Sequence, residues 1–191
     1  MKKISFNTKI TFIFFALYVI LFAAVFIFSL VFSLQALVLS FGGLLAVWVI
    51  GHKLESKYYV GAQCFLFAAE GLGAGLQFYA NISCYDLIMH LCSGILLAFL
   101  GEYTLTLFNK GTPPSISLLS QYVYCFTFSA ACAGLWEIWE FSGDKILGFN
   151  SQLGSLDDTM TDIIAGTIGA VIGVFILLLI RKISESYNKK V

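Results

Sequence analysis

Apolar residues run along this chain in long unbroken stretches instead of alternating with period two, and short polar clusters interrupt them. A membrane-crossing helix needs about 20 mostly apolar residues. That length places spans near residues 10–32, 34–50, 61–79, 85–107, 118–147 and 158–180. Closed barrels and helices alone satisfy every backbone group in hydrocarbon, and a barrel strand would alternate, so the pattern predicts helices. The expected fold is therefore all-α: a polytopic transmembrane helical bundle of about six spans, with residues 1–191 forming a single integral membrane domain. The boundary between the first two spans rests on Ser33 and Gln35 alone, and Pro113 and Pro114 mark a rigid loop.

The composition agrees. Apolar residues make up 59% of the 191 positions and charged residues 12%, with a mean hydropathy of +0.90; lipid is the solvent such a surface fits. Formal net charge is zero, so there is no basic field to recruit nucleic acid, and nucleic acid is excluded as a partner. Cys64, Cys84, Cys92, Cys125 and Cys132 lie apart in apolar sequence and read as buried thiols, with no C-x-x-C pair to suggest a disulfide frame or a zinc site. The first apolar run is longer than a signal-peptide core and no A-x-A site follows it, which predicts an uncleaved span.

Basic residues set the expected orientation. Lys2, Lys3 and Lys9 precede the first span, Lys53 and Lys57 join spans two and three, Lys110 joins four and five, and Arg181, Lys182, Lys189 and Lys190 follow the sixth. With six spans all of these fall on one face, the cytoplasmic one, while Lys145 stands alone opposite. Both termini are thus expected to be cytoplasmic, in a multi-pass protein of a bacterial cytoplasmic membrane whose partner is the lipid bilayer.

With that orientation, helical rise puts a set of ionisable residues near the outer face. Asp86 opens span four with His90 a turn deeper, and Asp158 opens span six with Asp162 a turn deeper. Glu137, Glu140 and Asp144 share a face of span five, Glu70 lies at a similar depth in span three, and Glu102 falls at the other end. Spacings of three and four residues project each pair toward one neighbour. A charge at the centre of a membrane helix costs roughly 2.5–3.5 kcal/mol, so these groups are expected to face the bundle interior or water. Carboxylates outnumber cations in this layer, and a bound divalent metal, shared protons or a water-filled mouth would each supply the balance. Carboxylate with imidazole suits zinc, manganese or iron better than calcium.

Plainer roles compete. Ser83 with Asp86 and Ser155 with Asp158 have capping-box spacing, Trp136, Trp139 and Tyr85 suit an interfacial belt, and the glycine pairs 71/75 and 169/173 suit close helix packing. Capping does not account for His90 or Asp162, for which the plain role is an interhelical hydrogen-bond network.

The run Tyr85-Asp86-Leu87-Ile88-Met89-His90 followed by Gly94 resembles the Y-D-x-x-x-H-x-x-x-G element of the YjdF-like family of bacterial inner-membrane proteins. So do Glu137-Ile138-Trp139-Glu140 and the later Gln152, Asp157 to Met160, Asp162 and Gly169-Ala170. The resemblance covers about the last 110 residues. A more distant likeness is to VanZ-like proteins, whose D-K-x-x-H helix has Leu87 here in place of lysine. The first resemblance implies Asp86, His90, Glu137, Glu140, Asp158 and Asp162 as motif positions, and the second implies a cell-envelope setting.

These readings combine into an expectation of a metal-assisted hydrolase or transferase on a lipid or lipid-linked envelope substrate at the outer leaflet. Asp86, His90, Glu140 and Asp162 would hold the metal, and Glu137 or Asp158 would act as general base. The alternatives are a proton- or cation-coupled transporter or channel using the same carboxylates and a non-catalytic accessory membrane protein. Against transport stand the lack of an inverted repeat, of an interrupted helix pair and of a polar path through the cytoplasmic half.

Overall fold

The computed structural model describes residues 5–28, 34–109, 115–152 and 155–188, and among them every regular element is helical. The order is α1 (Phe6–Ile27), α2 (Leu34–Gly51), α3 (Ser56–Leu66), a π-helical segment (Phe67–Gly75), α4 (Phe78–Asn81), α5 (Tyr85–Phe108), α6 (Leu118–Leu147) and α7 (Leu156–Asn188). α1, α5, α6 and α7 are long and apolar enough to cross a membrane; the apolar part of α2, Ala36–Gly51, is shorter. The prolines at 113 and 114, the 29–33 junction and the basic residues 2, 3, 110, 189 and 190 lie outside the described residues.

Local chemistry explains most of the boundaries. The Ser5 hydroxyl accepts from the Thr8 backbone N–H and caps α1, so this helix starts four residues before the apolar run and ends at Ile27. α6 runs over the expected 118–147 because Ser117 caps its start and Gly148 ends it with φ of 72°, a conformation glycine adopts without strain. α7 continues eight residues beyond the expected end at 180, through the charged Arg181 to Asn188 stretch. Helix bounds differ most from the apolar run around residues 61–79. The helix there begins at Ser56, changes to π register at Phe67 and stops at Gln77, which adopts φ of 58°. Glycines 71, 73 and 75 weaken an ordinary helix here, and the Leu76 N–H donates to the carbonyl five residues back, on Gly71.

Contacts group the chain into two compact units, residues 1–86 and 87–191. In the first, Phe14, Tyr18 and Phe22 of α1 pack against Ala36 and Leu44 of α2, with Phe67 of the π segment against them. In the second, α5, α6 and α7 meet at small residues. A Cβ on Gly94 would run into the Gly166 carbonyl, one on Gly169 into the Leu91 carbonyl, and one on Gly173 would sit 2.7 Å from the Ala98 Cβ. The 169/173 pair therefore lets two backbones touch.

Outward faces are apolar: Phe26 is 78% exposed, Ile50 82% and Ile146 79%, a surface suited to lipid. The cysteines follow the same logic and correct the expectation of buried thiols. Cys64, Cys84 and Cys92 are exposed, Cys132 is half-buried and Cys125 alone is buried, all of them free. A thiol behaves as a small hydrophobe, and lipid receives it as readily as a protein core does.

Candidate functional site

The site residues of the second unit are brought together by that backbone contact. Gly94 lies one turn after His90 on α5, and Gly166 one turn after Asp162 on α7, so touching backbones at the glycines hold the two side chains at one level. α6 closes the third side: a Cβ on Gly166 would sit 2.8 Å from the Ala133 Cβ, and Glu137 lies one turn from Ala133 toward the same level. The Ser129 hydroxyl donates to the Gly94 carbonyl at 2.8 Å and pins α6 to α5.

At that level His90, Glu137 and Asp162 are all buried, at 8%, 3% and 3% exposure. The His90 Nε2 lies 3.9 Å from Glu137 Oε1 and 3.9 Å from Asp162 Oδ2. Both distances exceed a hydrogen bond. They suit donor atoms that share a centre, since ligands about 2.0–2.2 Å from a metal stand some 3–4 Å from one another. Asp86, one turn before His90 on the same continuous helix, offers an oxygen that lies with His90 and Asp162 ligand atoms inside a 4.8 Å group.

The other expected residues have partners of their own. Glu140, expected as a ligand, accepts from the Trp136 indole N–H at 2.9 Å and is outside the group that Asp86, His90 and Asp162 form. Asp158 is half-buried in the first turn of α7, where its backbone N–H donates to the Ser155 hydroxyl at 3.2 Å, half of a capping box. Asp144 accepts from the backbone N–H groups of Ser151 and Gln152 and orders the turn after α6. Glu70 belongs to the first unit, on the π segment.

Gln152 has a role the spacing argument did not assign. Its amide nitrogen donates to the Thr159 hydroxyl at 2.8 Å and reaches the Glu137 carboxylate at 3.4 Å and carbonyl at 3.3 Å, so a loop residue orients the buried glutamate. A lone glutamine between two apolar helices was the signal. Glu137 and Gln152 also line a cavity of about 990 Å³ between α6 and α7. Leu135, Ile138, Phe141, Leu156 and Ile163 form its apolar wall; Asp144, Lys145, Asn150, Ser155 and Thr159 gather around the Gln152 side.

Comparison with known proteins adds family but no activity. One relative, an uncharacterized protein of Thermotoga maritima, is 32% identical over 118 residues, 60% of this chain and 57% of its own, so the chain spans a little over half the length of that relative. No solved structure matches. The family model described as "Predicted membrane protein (DUF2238)" matches residues 8–183, which brings in the two amino-terminal helices that the motif resemblance left out. The YjdF-like resemblance is consistent with that match, and the chain belongs to the DUF2238 family of predicted membrane proteins.

Proposed function

We propose that the protein is an intramembrane metal-dependent hydrolase or transferase that acts on a lipid or lipid-linked substrate at the outer leaflet of a bacterial cytoplasmic membrane. The proposal includes six spans, with α2 and the α3–π run as the two shorter ones, and cytoplasmic termini. The observation that carries it is the buried His90 nitrogen at 3.9 Å from two carboxylates on different helices, with one of them, Glu137, at the wall of a large half-apolar cavity.

Charge accounting supports a metal. Asp86, Glu137 and Asp162 bring three carboxyl groups to His90, Glu137 and Asp162 of them buried; a divalent cation would offset the charges of Asp86 and Asp162 and leave Glu137 as a base. Carboxylate and imidazole donors suit zinc, manganese or iron. Such a metal would supply Lewis-acid polarisation and a more acidic water. Glu137 then stands as the group that takes the proton, held in place by Gln152. The cavity has the size of a small-molecule site. Its apolar wall suits an acyl or isoprenoid chain, and its polar end suits a head group with hydrogen-bonding oxygens. The envelope setting suggested by the VanZ-like resemblance belongs to this proposal.

Metal content tests it. Purified wild type should hold about one metal per chain by elemental analysis, His90→Ala should lose most of it, and Glu102→Ala should keep it. A metal-free wild type would overturn the reading in favour of transport or an accessory role.

A further inference from the structure

The first unit contains a second set of buried polar groups, on helices that carry no part of the site above. Four rungs can be followed from the end bearing Lys9, Lys53 and Lys57. The Asn7 amide donates to the carbonyls of His52 and Leu54. The Thr11 hydroxyl meets the Tyr59 hydroxyl at 2.6 Å. The Gln63 amide nitrogen donates to the same Tyr59 oxygen at 3.1 Å. Then come Tyr18 and Ser40. Tyr18 is the middle residue of the α1 stripe Phe14, Tyr18, Phe22, and Ser40 the middle of the α2 stripe Ala36, Ser40, Leu44; the outer members of the two stripes pack in one core.

Tyr18, Ser40 and Gln63 are each fully buried, and Tyr18 Oη, Ser40 Oγ and Gln63 Oε1 have no hydrogen-bond partner among the described residues. Three unmatched oxygens in one small apolar core are costly, because each forfeits its hydration. Their helices pack on one another around the Tyr18 ring. The Tyr18 ring lies 5.1 Å from Phe67 and 5.7 Å from Phe41, the neighbour of Ser40. Gln63 precedes Phe67 by one turn, and a Cβ on Gly71 would sit 3.1 Å from the Tyr18 ring. Glu70 is the residue next to Gly71, on the turn that meets the Tyr18 ring. The turn that presents Glu70 is π-helical, a form that is rare and recurs at functional sites because its shifted register changes which carbonyls are bonded.

We propose that Glu70, Tyr18, Ser40 and Gln63 form a binding site for an exchangeable monovalent cation, a sodium ion or a proton, distinct from the histidine-centred site. Neutral hydroxyl and amide oxygens with one carboxylate are hard donors. One negative charge balances one positive charge, whereas a divalent ion would leave an excess in a lipid-facing core. The facing groups are otherwise uncharged. α1 offers Tyr18, with Lys9 in its first turn, α2 has no ionisable residue, α3 offers Tyr58, Tyr59 and the exposed Cys64 beyond its terminal Lys57, and Tyr79 and Tyr85 pack on the π segment itself. Of these four residues the sequence singles out Glu70 alone, because the others are single polar residues on three helices.

Dicyclohexylcarbodiimide, which reacts with protonated carboxyls in apolar surroundings, tests the site on the full chain in detergent, with mass spectrometry of the Glu70 peptide. Glu70 should be labelled, and Glu70→Gln should remove the label. If sodium is the occupant, sodium at about ten times its Kd should lower labelling about tenfold against matched choline chloride. If the proton is the occupant, sodium should have no effect and labelling should fall as pH rises. Tyr18→Phe, which keeps the ring and removes the oxygen, should weaken the sodium protection or move the pH at which labelling falls. A monodisperse wild type that is unlabelled at Glu70 at every pH, or whose labelling changes with neither sodium nor pH, overturns the proposal. So does a Tyr18→Phe variant identical to wild type.

Discussion

Among single residues, the sharpest contrast lies between polar groups that occur in pairs on one helix and those that occur alone. Asp86 with His90, and Asp158 with Asp162, announce themselves at four-residue spacing, and Asp86, His90 and Asp162 do come together. Glu140 shares a face with Glu137 by the same rule and is bonded instead to Trp136; spacing predicts the side of the helix and not the neighbour. Ser129 is the opposite case, an ordinary helix serine by sequence that bonds the Gly94 carbonyl of another helix. Ser129→Ala should lower stability by about 0.6 kcal/mol and by no more than about 1.7, the range measured for such bonds inside membranes. Unfolding in mixed detergent would show it, and an unchanged midpoint would mean the bond adds nothing. If the proposed metal is bound at His90, Gln152→Leu should leave its content unaltered, because the side-chain bonds of Gln152 go to Glu137 and Thr159. Loss of metal in that variant would place Glu137 among the ligands.

Helix by helix, the ends were legible where capping chemistry and the apolar run coincide. α5 at Tyr85–Phe108 and α6 at Leu118–Leu147 fall within one residue of the expected spans. The break after α3 was not legible, since glycines 71, 73 and 75 interrupt no apolar run and hydropathy does not register a change of hydrogen-bond register. Gln77 stops the π segment with a left-handed φ of 58°, at a cost of about 1–2 kcal/mol for a residue with a Cβ. Gln77→Gly should therefore stabilise the first unit by up to about 1 kcal/mol, less the entropy glycine adds to the unfolded chain. A lower thermal midpoint would show that the Gln77 side chain compensates for its strain. Gly94→Ala should do the reverse. The added methyl meets the Gly166 carbonyl, α5 and α7 must separate, and destabilisation of about 1–3 kcal/mol should follow. Because that contact sets the level of His90 and Asp162, metal content should fall with it, and Gly134→Ala, where a Cβ meets nothing within 4 Å, should change neither.

At the scale of the whole chain, helix length connects the elements to the membrane. α6 has 30 residues and α7 has 33, about 45 and 50 Å at 1.5 Å per residue. A hydrocarbon core of about 30 Å leaves a turn or more of each outside. Charge shows which ends emerge: Asp144 and Lys145 close α6, Asp157 and Asp158 open α7, and Arg181 with Lys182 lie near the end of α7. The residues between them, from Ile163 to Ile180, carry no charge and fill about 27 Å at the same rise. Asp162 then lies just inside one face, and the polar end of the cavity lies at that face. Lysines and arginines decide which face it is, since acidic residues weigh little in orientation. The proposed six-span topology, in which α2 and the α3–π run both cross, assigns Lys9, Lys53, Lys57, Arg181 and Lys182 to the cytoplasmic face. Six crossings therefore predict that a reporter fused at Lys110 is cytoplasmic and one at Asn150 is external, with fusions at both termini cytoplasmic. Five crossings, with the broken α3–π run staying in one leaflet, would separate the termini. Opposite-side termini in a fusion or cysteine-accessibility assay would thus discard both the sixth span and the outer-leaflet substrate, while leaving the geometry around His90 intact.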